Sequence, residues 1–126
     1  DVIGCKIVHM LGSFLRVPDQ LTTRKVRATF RLMNEPIGNE EIKAKLAGLK
    51  GWGWQSGKLV KSFLFGDFRE AMSFLLRVSY EAEQRDHHPE IFNCYCEVKL
   101  LLSTHDAGGQ VTEKDFALAK AIDSIA

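Results

Sequence analysis

The chain has 126 residues, 45% hydrophobic and 26% charged, which suits one globular domain and leaves too little chain for two of ordinary size. No apolar run approaches the ~20 residues a membrane-spanning helix requires; the longest, around Phe74-Leu75-Leu76 and Leu100-Leu101-Leu102, are short and flanked by charge, so no membrane partner is expected. A net charge of +1 gives no field that would draw in nucleic acid, and no direct nucleic-acid partner is expected either.

The charge is unevenly spread. Residues 1–34 carry six Lys/Arg against two Asp/Glu, and the remainder carries 11 against 14. Within the first stretch two periods compete. Val26, Ala28, Phe30 and Leu32 alternate with Lys25, Arg27, Thr29 and Arg31, as in a half-exposed strand. Arg24, Arg27 and Arg31 also share a helical face opposite Val26, Phe30 and Met33. An Arg-rich segment without acids from Gln20 to Asn34 has the character of an organelle-targeting presequence, and translated upstream sequence before Met33 is a third reading. Residues 1–36 are therefore set apart as an extension and residues 37–126 as the folded domain. The location is cytoplasmic, or mitochondrial or plastid if the extension is a targeting segment.

In chain order, Asn39 reads as the N-cap of a helix through Glu40–Leu49, with Glu40 and Glu41 well placed in its first turn. Gly51 and Gly53 end it. Trp54–Gln55 and Lys58–Phe65 read as strands joined by a Ser56-Gly57 turn. Asp67 with Glu70 forms a capping-box pattern ahead of Phe68, Ala71, Met72, Leu75, Val78 and Ala82, an apolar stripe at helical spacing. That helix should run to about Arg85 and stop before Pro89, since a residue preceding proline leaves the α region. Ile91–Tyr95 and Glu97–Ser103 follow as strands, then a Gly-rich loop over 104–111. Thr112 caps a last helix, with Asp115 completing the box and Leu118, Ala121, Ile122 and Ile125 as its buried stripe. The order predicts an α+β fold, an antiparallel sheet with helices on one face.

Three cysteines, Cys5, Cys94 and Cys96, make no disulfide framework. If Cys94 and Cys96 share a strand they lie on one face two residues apart, which rarely suits a disulfide, and a reducing compartment is the simpler expectation.

The chemistry-bearing stretch is Glu83-Gln84-Arg85-Asp86-His87-His88-Pro89, followed by Tyr95 and by Thr104-His105-Asp106. His87 and His88 end the long helix and His105 follows the last strand, so all three imidazoles can share one pocket if that strand packs beside the helix. Imidazole titrates near neutrality, and one ring can donate a proton while another accepts. Elimination of water needs that pairing. Glu83, Asp86 and Asp106 are placed to orient the rings. The plainer reading of His-His-Pro is a helix stop. The residue types also suit zinc, with Cys94 or Cys96 beside the histidines, but adjacent His87 and His88 diverge and no Cys-x-x-Cys or His-x-x-x-His occurs, so no metal is expected. Ala107-Gly108-Gly109-Gln110 lacks any phosphate-loop pattern and reads as a turn.

The run Gly51-Trp52, Phe63-x-Phe65-x-Asp67-Phe68, Asp86-His87-His88-Pro89-Glu90, Phe92-Asn93, Tyr95, Leu102-Ser103-Thr104-His105, Gly109 and Asp115 resembles the pterin-4a-carbinolamine dehydratase family over roughly residues 40–126. Glu83, His87-His88-Pro89, Tyr95, His105 and Asp115 stand at the spacings of the family motif, while Ile91, Cys94 and Cys96 depart from its commoner residues. The resemblance implies a four-stranded antiparallel sheet with three helices on one side. It also implies dehydration of 4a-hydroxytetrahydrobiopterin to quinonoid dihydrobiopterin without metal or cofactor. His87, His88 and His105 would then be catalytic, with Glu83, Asp86, Pro89, Tyr95, Asp106 and Asp115 supporting or binding substrate. It implies a homodimer or homotetramer and a functional link to a pterin-dependent aromatic amino acid hydroxylase. The alternative it carries is a scaffold: a coactivator with a transcription-factor partner, or an assembly factor for carbon-fixing enzyme.

Overall fold

The computed structural model describes residues 20–126; Cys5, His9 and the first part of the targeting-like extension lie outside the described residues. The elements are α1 (Gln20–Asn34), α2 (Asn39–Leu46), β1 (Gly53–Gln55), β2 (Lys58–Leu64), α3 (Phe68–Gln84), β3 (Glu90–Cys94), β4 (Glu97–Leu102) and α4 (Glu113–Ile125), with a 3₁₀ turn at His105–Ala107 between β4 and α4. The strands form one antiparallel sheet in the order β1-β2-β4-β3. This is the expected α+β architecture.

Alternation along the central strands decides which face is covered. Leu59 and Phe63 of β2 and Val98, Leu100 and Leu102 of β4 point the same way and meet Ile42 of α2, Ala71, Phe74 and Val78 of α3, and Phe116, Leu118 and Ile122 of α4. Phe74 is fully buried, with its ring 4.7 Å from that of Phe63; burying such a side chain stabilises the fold by about 1.5–3 kcal/mol. Two polar ties hold the helices in place. Lys61 and the Trp52 indole both donate to Asp123 of α4, at 2.7 Å and 3.0 Å. Lys45 of α2 pairs with Glu113 at 2.6 Å, and that hydrogen bond raises the lysine above its ordinary pKa.

The local signals hold with identifiable exceptions. Asp67 caps α3, accepting from the Glu70 amide at 2.9 Å, but the Glu70 carboxylate reaches one residue further back, to the Gly66 amide. The Thr112–Asp115 capping box of α4 is complete. Asn39 is not the cap of α2: the Ile42 amide bonds to the Gly38 carbonyl, which makes Gly38 the cap and Asn39 the first helical residue. Ser56 and Gly57, with φ of 50° and 79°, give the left-handed pair that a two-residue hairpin needs.

At the β3–β4 hairpin, Tyr95 and Cys96 form the turn itself. Tyr95 does not extend the strand, and Cys94 and Cys96 do not share one. Tyr95 takes φ 53°, braced by Asn93, whose side-chain amide donates to the carbonyls of Tyr95 and Glu97. Of the readings open for residues 20–34, the helical one is observed: α1 meets its backbone hydrogen bonds internally and packs against α4. Val26, expected on the apolar face of that helix, is exposed, whereas Met33 is half-buried.

Candidate active site

The end of α3 positions the first two histidines. The Asp86 amide bonds to the Glu83 carbonyl and the His87 amide to the Ala82 carbonyl, with Asp86 at φ 46°. This is a Schellman ending in which aspartate holds the left-handed position that glycine usually takes. The chain reverses there, so His87 turns back under the helix while His88 faces outward. The helix stop expected at this point is therefore real, but it is made by Asp86, and it aims the histidines.

His87 is buried, at 7% exposure. Its Nε2 lies 2.6 Å from Oδ1 of Asp115, a carboxylate of α4 with no solvent exposure. The other oxygen of Asp115 accepts from the Thr112 amide at 2.8 Å and from the Thr104 hydroxyl at 2.9 Å. The proton order follows. Thr104 gives its only proton to Asp115, so in the 2.6 Å contact between the two threonine hydroxyls Thr112 is the donor. A carboxylate acceptor facing Nε2 makes that nitrogen the protonated one in the neutral ring. Nδ1 is left as the unprotonated nitrogen of the neutral His87 ring.

His88 lives in a different setting. Its Nε2 lies 3.0 Å from Glu83 one turn back on α3, with 60% and 82% of the two side chains exposed. Pro89, half-buried, carries the chain from His88 into β3. His105 opens the 3₁₀ turn after β4. There the Ala107 and Gly109 amides both bond to the Thr104 carbonyl, and the Thr104 amide bonds to Gln110. Gly108 and Gly109, at φ 70° and 77°, allow the loop to close on Thr104. The run read as a plain turn is thus the mount for His105, whose exposed ring has no hydrogen-bond partner among the described residues.

These elements enclose one cleft of about 170 Å³. His87, His88 and His105 line it together with Asp86, Asp106, Ser103, Thr104 and Lys114. Glu83 and Asp115 stand behind it as hydrogen-bond partners of two of the rings. Tyr95 is not brought to the cleft; it stands exposed at the opposite end of β3. A second cavity of about 320 Å³ adjoins at His87 and reaches α1 through Met33. Among the described residues, no group of three or more His, Cys, Asp or Glu side chains is arranged to hold a metal ion. No helix among them is long and apolar enough to cross a membrane.

Thr104 and Lys114 carry no role in the sequence reading. Thr104 sat beside His105 in the motif, and its buried position on the inward-facing side of the β4 end was the available signal. Met33 and Lys114 left none, because their place beside His87 depends on how helices pack.

The family model for pterin 4 alpha carbinolamine dehydratase matches residues 35–125. The chain belongs to this family. A protein of Opitutus terrae assigned to the pterin-4-alpha-carbinolamine dehydratases is 51% identical over 85 residues, covering 68% of this chain and 88% of the relative. A relative of the same assignment from Sulfolobus acidocaldarius is 44% identical over 89 residues, covering 71% and 97%. Among solved structures, a transcriptional coactivator/pterin dehydratase from Brucella melitensis superposes with a TM-score of 0.68 at 36% identity, covering 72% of this chain and 98% of the other. The four-stranded antiparallel fold is thus the one expected of the family.

Proposed function

We propose that the chain dehydrates a 4a-hydroxytetrahydropterin, 4a-hydroxytetrahydrobiopterin being the expected substrate, to the quinonoid dihydropterin by histidine acid–base catalysis. In that reaction the C4a–O bond breaks and the leaving hydroxyl takes a proton to depart as water. The N5–H proton is removed, and the freed electron pair makes C4a=N5. No electrons are gained or lost, so one acid and one base are sufficient. The observation that carries the reading is that three imidazoles line one cleft, one of them locked by a buried carboxylate.

In this account His87 and His105 transfer the protons. His87 suits the base because Asp115 stabilises the positive charge its ring acquires when Nδ1 takes a proton. His105, open to the cleft, suits the acid. His88, steadied by Glu83, positions the substrate, and Asp86 and Asp106 offer polar contacts at the rim. Each positioned acid or base contributes roughly 10²–10⁴-fold. The substrate would come from a pterin-dependent aromatic amino acid hydroxylase. Residues 37–126 form the dehydratase domain in this reading and residues 1–36 an extension to it. Assembly as a homodimer or homotetramer is part of the same proposal.

The name of the Brucella melitensis relative joins a coactivator to the dehydratase, so a scaffold is the second reading. Purified chain added to freshly generated 4a-hydroxytetrahydropterin should speed the decay of its absorbance well beyond the buffer rate. A decay no faster than buffer, together with co-purification of a DNA-binding protein, would favour the scaffold.

A further inference from the structure

The two cavities that meet at His87 differ in size and chemistry. The histidine cleft holds about 170 Å³, below the roughly 300–1,000 Å³ usual for sites that bury a small molecule. The adjoining cavity, about 320 Å³, lies between the end of α1 and the first turns of α4, and Asp86, His87 and Lys114 border both spaces. Met33 of α1, Ala117 and Lys114 of α4, and Arg85, Asp86 and His87 at the end of α3 line it, and the surface they present is mainly apolar. Methionine is the side chain best able to follow the outline of a variable apolar group. Met33 also precedes the segment matched by the family, which begins at residue 35.

The reaction dictates what such a space can hold. The bond being formed joins C4a to N5, and N5 is bonded on its other side to C6, the carbon that carries the pterin substituent. With His87 serving N5, the C6 substituent must leave the histidine cleft past His87. That is where the second cavity opens. We propose that the space between α1 and α4 is the subsite for the C6 substituent, with Met33 and Ala117 as residues that set which substituents are accepted. The inference rests on the dehydratase reading and names the substrate feature that the site distinguishes.

The test measures binding apart from turnover. Affinities for 7,8-dihydropterin without a C6 substituent and for its 6-methyl and 6-dihydroxypropyl forms are read by fluorescence titration. Parent chain, Met33→Trp, Ala117→Phe and Met33→Leu are compared. The parent should favour the substituted forms. Filling the cavity from either helix should cut that preference about tenfold, the scale of a methylene-sized misfit in an apolar pocket. Met33→Leu, close in volume, should keep it. Ala117 is exposed on α4, so its variant reads the subsite even if α1 undocks in Met33→Trp. A parent without preference, or a preference unmoved in both filled variants, overturns the subsite. Turnover of unsubstituted 4a-hydroxytetrahydropterin by the parent is followed in parallel. Its absence counts against the dehydratase reading, and the affinity ratios still decide the subsite.

Discussion

His87 and His88 are adjacent in the chain and opposite in circumstance. His87 is buried and fixed by a carboxylate that also satisfies a threonine hydroxyl and a helix-capping amide. His88 is exposed and leans on Glu83, an exposed glutamate near the end of the preceding helix α3. One ring is held by the fold, and moving it means disturbing the start of α4 and the end of β4. The other is held by a surface pair that costs little to break. Two identical side chains thus sit in different settings, and the left-handed turn at Asp86 is what separates them.

The largest test of that contrast is Asp115→Ala. It leaves the His87 Nε2–H, the Thr104 hydroxyl and the Thr112 amide without their acceptor in a buried place, and should lower stability by about 3–5 kcal/mol in urea unfolding. Thr104→Val removes one donor to the same carboxylate and leaves Thr112 unpartnered on that side. A loss of about 1–2 kcal/mol is expected, with His87 retained in place. Asp86→Gly relieves the left-handed strain, so thermal unfolding should show stability kept or raised, within about 1 kcal/mol. A marked loss of turnover in that variant would give the Asp86 carboxylate a part in the chemistry beyond shaping the turn. Glu83→Gln, at the exposed pair, should change stability by under about 1 kcal/mol. A stability loss at Glu83 comparable to that at Asp115 would abolish the distinction between the two histidines.

Much of this was legible in the residues. The Ser56-Gly57 turn marked the first hairpin, and the Asp67 and Thr112 caps placed the helix starts, because those signals are local and act through the nearest backbone groups. The motif from Glu83 to His105 identified the rings that share the cleft. The misreadings have equally local causes. Asn39 is a good capping residue, but the first helical hydrogen bond closes on Gly38. Tyr95 has strong strand propensity, yet a bracing asparagine two residues earlier forces it into the turn. The alternation over residues 25–32 favours a strand only where a partner strand is present, and the described sheet pairs no strand with it. The approach of Met33 to His87 was not legible, since it depends on the docking of α1 on α4 and not on any pattern within either helix.

The central claim is that the cleft eliminates water by proton transfer through His87 and His105. Rates of 4a-hydroxytetrahydropterin decay should be measured for the parent, His87→Ala and His105→Ala under saturating substrate, with folding of each variant verified by circular dichroism. A fall of roughly 10²–10⁴-fold is expected in each variant, with His105→Ala as stable as the parent because its ring is exposed and has no hydrogen-bond partner among the described residues. Both folded variants turning over at the parental rate would contradict it.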